Sequence, residues 1–169
     1  LRTRLYGPDN PQTLATLDRY ATLLEDLRRP KEAEPLLKQV LEGRRKALGD
    51  NHSETLVSLG NYATILRSLG RAAEAEPYAR EAMERSRQTL GEDNPATLTA
   101  INNYGVTLAF LNRRTEAVPY YKAVLDARHR QMGDDHPETL RAMFNYAQNL
   151  MVIGRYAEAE PVAAELYEK

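Results

Sequence analysis

The 169-residue chain contains no cysteine, which excludes both a disulfide framework and a thiolate-ligated metal centre. Charge of either sign is not in excess: 23 Lys and Arg stand against 24 Asp and Glu, a formal net charge of −1. Such a balance lacks the basic stripe that nucleic acid demands and the polybasic cluster of a membrane anchor. No apolar run approaches the roughly 18 residues of a membrane span, and the opening Leu1-Arg2-Thr3-Arg4 is not a secretory leader. A glycine-rich phosphate loop, a Gly-x-Ser-x-Gly elbow and a His-Glu-x-x-His run are all missing. The carboxylates of the Asp/Glu-rich loops are solvated, so nothing there raises one of a pair for acid catalysis. The expectation is a cytoplasmic protein that is not an enzyme, takes no cofactor and binds neither nucleic acid nor membrane.

What is present is a repeat. Thr13, Thr55, Thr97 and Thr139 stand 42 residues apart, and the columns of Gly7, Tyr20, Ala33 and Pro35 recur in all four copies in the same phase. A fixed period of this size means stacked units that each contact only their neighbours. With 42% hydrophobic and 28% charged residues, the chain has apolar material for a continuous core. The repeats fall at 7–48, 49–90, 91–132 and 133–169, as one array domain over 1–169. Residues 1–6 align with the tail of a preceding helix, and the last residue stops in that same phase. The chain therefore reads as a cut-out of a longer array. Of the three histidines, His52 and His136 occupy one loop column two repeats apart and His129 lies on a helix, so no set of metal ligands is expected.

Within a repeat, Leu56, Leu59, Tyr62, Ala63, Leu66 and Leu69 follow three- and four-residue spacings, the stripe of an amphipathic helix, here helix A. Pro11, Pro95 and Pro137 mark its first turn behind Asn10, Asn94 and His136 as N-caps, with Ser53 replacing the proline in the second copy. It stops at Gly70, Gly154 or Asn112, residues suited to a left-handed turn; Arg28 departs from that pattern. Helix B begins within about three residues, which makes the two helices antiparallel neighbours. Arg29, Arg71, Arg113 and Arg155 precede Glu32, Glu74, Glu116 and Glu158 by three residues, as local ion pairs. The tyrosine column Tyr20, Tyr62, Tyr104 and Tyr146 lies on the helix A stripe and is expected in the core.

Leu59-x-x-Tyr62-Ala63-x-x-Leu66, then Gly70, Ala75, Tyr78 and Ala82, resemble the tetratricopeptide repeat, and the 42-residue spacing with Asn-Tyr-Ala and Glu-Ala-Glu-Pro resembles its kinesin-light-chain-like class. The common unit of that family has 34 residues. Leu17, Leu59, Ile101 and Met143 stand in the family's aromatic column near the start of helix A, a change of packing rather than of fold. The resemblance implies an all-α fold, a right-handed α-solenoid of antiparallel helix pairs, without catalysis. It also implies a concave groove, lined by the A helices, that holds a partner peptide or protein.

Carried over by position, the groove residues are Asn61 and Arg67 in repeat two, Asn102, Asn103 and Phe110 in repeat three, and Arg141, Phe144, Asn145, Gln148 and Met151 in repeat four. The column Asn61, Asn103, Asn145 resembles the family's groove asparagines, whose amides both donate and accept; Arg19 interrupts it in repeat one. Repeat one instead offers Asp18, Glu25 and Asp26. This gradient predicts a peptide with an apolar anchor toward repeats three and four and a basic end toward repeat one. Two further readings stay open. One is a sensor array within a larger signalling protein that carries an ATPase, protease-like or transcriptional effector. The other is end-to-end self-association through uncapped repeats, with Phe144 and Met151 forming a packing face.

Overall fold

A computed structural model describes Gly7 and residues 9–168. The expected preceding helix tail at residues 1–6 lies outside the described residues. Eight helices follow: α1 (Pro11–Asp26), α2 (Pro30–Leu48), α3 (Ser53–Ser68), α4 (Ala72–Leu90), α5 (Pro95–Phe110), α6 (Arg114–Met132), α7 (Pro137–Val152) and α8 (Tyr156–Tyr167). Odd-numbered elements are the A helices and even-numbered ones the B helices. The chain divides into two compact units, meeting in sequence between Glu92 and Asp93. Within each unit every helix packs on the one before it. Among the described residues there is no strand, and no helix is long and apolar enough to cross a membrane.

The same local chemistry builds every A helix. Asn10 and Asn94 accept, through Oδ1, the backbone N–H of Gln12 and Ala96 at 2.9 Å each. His52 and His136 do so through Nδ1, accepting from Glu54 and Glu138 at 3.3 and 3.2 Å. Each cap satisfies one of the donors that a helix start leaves unpaired. The loop histidines are therefore helix caps, a role open to an imidazole nitrogen only while it carries no proton.

One arginine then joins helix A to helix B. The N–H groups of Arg29, Arg71, Arg113 and Arg155 donate to the carbonyls of Leu24, Leu66, Leu108 and Leu150 at 2.8 to 3.0 Å, the long bond of a Schellman turn. The residue before each arginine takes the required left-handed conformation: Arg28 at φ 58, Gly70 at 76, Asn112 at 60 and Gly154 at 77. The arginine carbonyl next accepts an N–H from the first turn of helix B, at 3.1 Å from Glu32, Glu74 and Glu116 and 3.2 Å from Glu158. Its guanidinium grips that same glutamate side chain, as from Arg29 Nε to Glu32 Oε1 at 2.6 Å. The expected ion pairs are all formed. Hydrogen bonding to the arginine is the first cause holding the Glu32, Glu74 and Glu158 carboxyls below their ordinary value of 4.5. The B helices run unbroken through Pro35, Pro77, Pro119 and Pro161, each of which forfeits one backbone bond.

The core follows the A stripe and the alanines of the B helices. Tyr62 and Tyr104 are each 5% exposed and meet Tyr78 and Tyr120 edge to face at 4.9 and 5.0 Å, an arrangement aromatic pairs favour. Burial is the first cause raising the Tyr62 phenol. Tyr146 is also buried, but Tyr20 is 48% exposed, which corrects the expectation of a wholly internal column. Its partner position on α2 is Leu36, a smaller side chain, so the edge-to-face partner of Tyr62 and Tyr104 has no counterpart there.

Candidate peptide-binding surface

The groove residues carried over from the resemblance are divided between the two units. In the first unit they are tied into the protein itself. Asp18 bridges two repeats: its Oδ1 accepts from Asn61 Nδ2 at 3.3 Å and its Oδ2 from Arg44 at 2.9 Å. Arg44 is buried and also donates to Ser58 Oγ at 2.7 Å. Arg67, half-buried, donates to Thr64 Oγ1 at 3.4 Å. Asn61 thus works as a strut between α1 and α3, and repeat one keeps its carboxylate occupied.

The second unit repeats that scheme with the charge removed. Asn102 stands in the column of Asp18, and its Oδ1 accepts from Asn145 Nδ2 at 3.0 Å. Asn102, Arg141 and Asn145 border a cavity of about 10 Å³ beside the buried Arg128. Arg141 is exposed and binds Glu138 at 2.6 Å. Asn103 is half-buried and its carbonyl accepts from Thr107 Oγ1 at 2.8 Å.

A larger cleft of about 190 Å³ opens between α5 and α7. It is lined by Val106, Ala109, Phe110, Arg114, Tyr121, Asn145, Gln148 and Asn149. Phe110 is 61% exposed at the rim, whereas Asn149 is 2% exposed. The Asn149 amide nitrogen donates to the Arg114 carbonyl at 3.0 Å, and its Oδ1 has no hydrogen-bond partner. A buried acceptor without a donor costs about 1–3 kcal/mol, and with less than 1 Å² of accessible surface this oxygen is not open to a ligand in this conformation. The cleft therefore combines an apolar lip at Phe110 with the amide side chains of Asn145, Gln148 and Asn149.

Asn149, Arg114 and Tyr121 were not among the expected residues. One signal was available, because the column Leu23, Ile65, Thr107, Asn149 turns polar toward repeat four. Tyr121 is accommodated by Gly105, whose Cα faces it where the other repeats carry alanine; a Cβ there would stand 3.3 Å from the Tyr121 ring. Phe144 and Met151 are exposed but border neither cavity. They occupy the columns of Asp18 and Glu25, which in the first unit reach Asn61 and Ser68 of the following repeat. Both side chains thus lie on a surface that elsewhere in the molecule serves repeat stacking.

The sequence matches the tetratricopeptide repeat over residues 1–46, 18–88, 54–128 and 112–168. Among curated proteins none matches it. Two solved structures of nearly identical TPR-like repeats, assigned to a kinesin light chain of Podosopora anserina, superpose with TM-scores of 0.85 and 0.81. Each is 20% identical and aligns 99% of this chain with 79% of its own. BtubC (BKLC) from P. vanneervenii superposes with a TM-score of 0.82 at 19% identity, over 92% of this chain and 62% of that one. At such identity these structures establish the fold, an all-α solenoid of antiparallel helix pairs. Repeats of this kind are generally protein-interaction scaffolds, and no catalytic family is indicated. The chain is a member of the tetratricopeptide-repeat family, with kinesin-light-chain-like proteins as its structural neighbours.

Proposed function

We propose that this chain is a non-catalytic, cytoplasmic scaffold whose four repeats act as a single array and bind a partner peptide along the A helices, with the principal anchor in the α5/α7 cleft. The observation that supports this reading is the cleft itself, which brings the exposed Phe110 and the amides of Asn145 and Gln148 to one opening. An apolar side chain of the peptide would cover the exposed Phe110 ring. Asn145 and Gln148 at the same cleft can take backbone N–H and C=O groups, since an amide donates and accepts. The first unit gives the peptide a weaker hold, because Asp18 is held by Arg44 and Asn61.

A random-peptide display selection tests the reading, with Phe110→Ala and an Asn145→Ala/Gln148→Ala double variant as counter-screens. Enriched peptides should share an apolar anchor and be lost on both variants. Absence of enrichment, or binding indifferent to both, would remove the cleft from the account.

A second reading, end-to-end self-association, draws support from Phe144 and Met151 on columns that meet the next repeat. Light-scattering mass that climbs with concentration and falls back in Phe144→Ser would favour it. A strict monomer at high concentration would eliminate it.

A further inference from the structure

The B helices carry a second pattern, away from the cleft. Each of the first three ends in a column of Arg45, Arg87 and His129, followed five residues later by an acid, Asp50, Glu92 and Asp134. In the first unit the Arg45 guanidinium sits between two carboxylates, 3.2 Å from Asp50 Oδ1 and 2.7 Å from Glu81 Oε2. Glu81 comes from the next B helix, where Arg85 also holds it at 2.9 Å. Arg87 keeps its own acid, Glu92, at 3.1 Å. His129, Asp134 and Glu165 fill the columns of Arg45, Asp50 and Glu81 in the second unit, 84 residues on. Their ligand atoms all lie within 4.8 Å of one another, and His129 Nδ1 is 2.6 Å from Asp134 Oδ1.

Two carboxylates thus converge on a place that the first unit fills with a fixed positive charge, and here the central residue is an imidazole. We propose that His129, Asp134 and Glu165 bind one divalent transition cation of the zinc class, which supplies the charge that Arg45 supplies in the first unit. One imidazole nitrogen and two carboxylate oxygens are a ligand set that zinc accepts, with the fourth position left to water. A tetrahedral ion with bonds of about 2.0–2.2 Å spaces its ligand atoms roughly 3.3–3.5 Å apart. The observed separations, from 2.6 Å for the His129–Asp134 pair to no more than 4.8 Å, bracket that spacing. On binding, the ion replaces the hydrogen bond between His129 and Asp134. It also links α6, the loop after Gly133 and α8, so it acts as a clip between repeats three and four.

Calorimetric titration of the full chain with zinc chloride in a non-chelating buffer, paired with thermal melts, tests the proposal. Wild type should bind one zinc ion and melt at a higher temperature with it. His129→Arg, which reproduces the arrangement at Arg45, should stay helical, bind no zinc at this site and melt independently of the metal. Glu165→Gln should weaken binding by about tenfold or more, since even outer-shell partners of a metal are worth 10–100-fold. Zinc taken up equally by His129→Arg and wild type would place the ion elsewhere and overturn the assignment. No uptake by wild type would overturn it too.

Discussion

Arg28 holds at φ 58 the turn that Gly70 and Gly154 hold at 76 and 77. A side chain in the left-handed region costs roughly 1–2 kcal/mol, so Arg28→Gly should stabilise the first repeat by about 1 kcal/mol, read as a higher denaturation midpoint. The turn itself was legible in the sequence, because its column holds glycine or asparagine in the other three repeats. The tyrosine column was legible only in part. Tyr62→Ala removes a ring that is 5% exposed and should cost ~3–5 kcal/mol. Tyr20→Ala, at 48% exposure, should cost no more than about 1 kcal/mol. Periodicity alone gives both residues one environment, although Leu36 stands where Tyr78 and Tyr120 face the later tyrosines. Asn149 escaped notice for a related reason: its burial depends on Arg114 and the neighbouring helix, whereas its own helical spacing says only that it faces inward.

Each B helix starts on an arginine–glutamate pair, and the depressed carboxyls of Glu32, Glu74 and Glu158 set the sign of its pH dependence. A carboxyl lowered by folding contributes above its unfolded value, near 4.5, and that contribution is lost as pH falls through the lower folded value. The triple variant Glu32→Gln/Glu74→Gln/Glu158→Gln should therefore melt below wild type at pH 7, by a small margin because the pairs are exposed. The two proteins should converge as pH falls through that lower value, and a gap that persists in strong acid would show that the charge is not responsible. At this scale the sequence was most informative. Prolines, caps and left-handed positions are local chemistry, so all the expected helix starts and stops appear where their signals stand. The gathering of His129, Asp134 and Glu165 was not legible from spacing alone. It depends on the register of one B helix against the next, which the 36-residue offset between Arg45 and Glu81 reveals only once their contact is seen.

For the whole molecule, the periodicity, the family match and the solved neighbours agree on an all-α solenoid of helix pairs. Which part of an A-helix surface is free to bind was beyond the sequence, because the same columns serve two purposes. Asn61 and Asn145 stand in one column with Asn103, yet Asn61 and Asn145 each brace the preceding repeat. A single Asn145→Ala change should therefore weaken stacking as well as binding, whereas Phe110→Ala, at an exposed rim, should lower peptide affinity by about tenfold or more and leave the melting temperature almost unchanged. Hydrogen–deuterium exchange of the full chain with and without a saturating selected peptide decides whether the cleft is the anchor. Protection gained on binding should concentrate in Pro95–Phe110 and Pro137–Val152, two helices that border the cleft. Protection confined to the B helices, with α5 and α7 unchanged, would contradict this assignment.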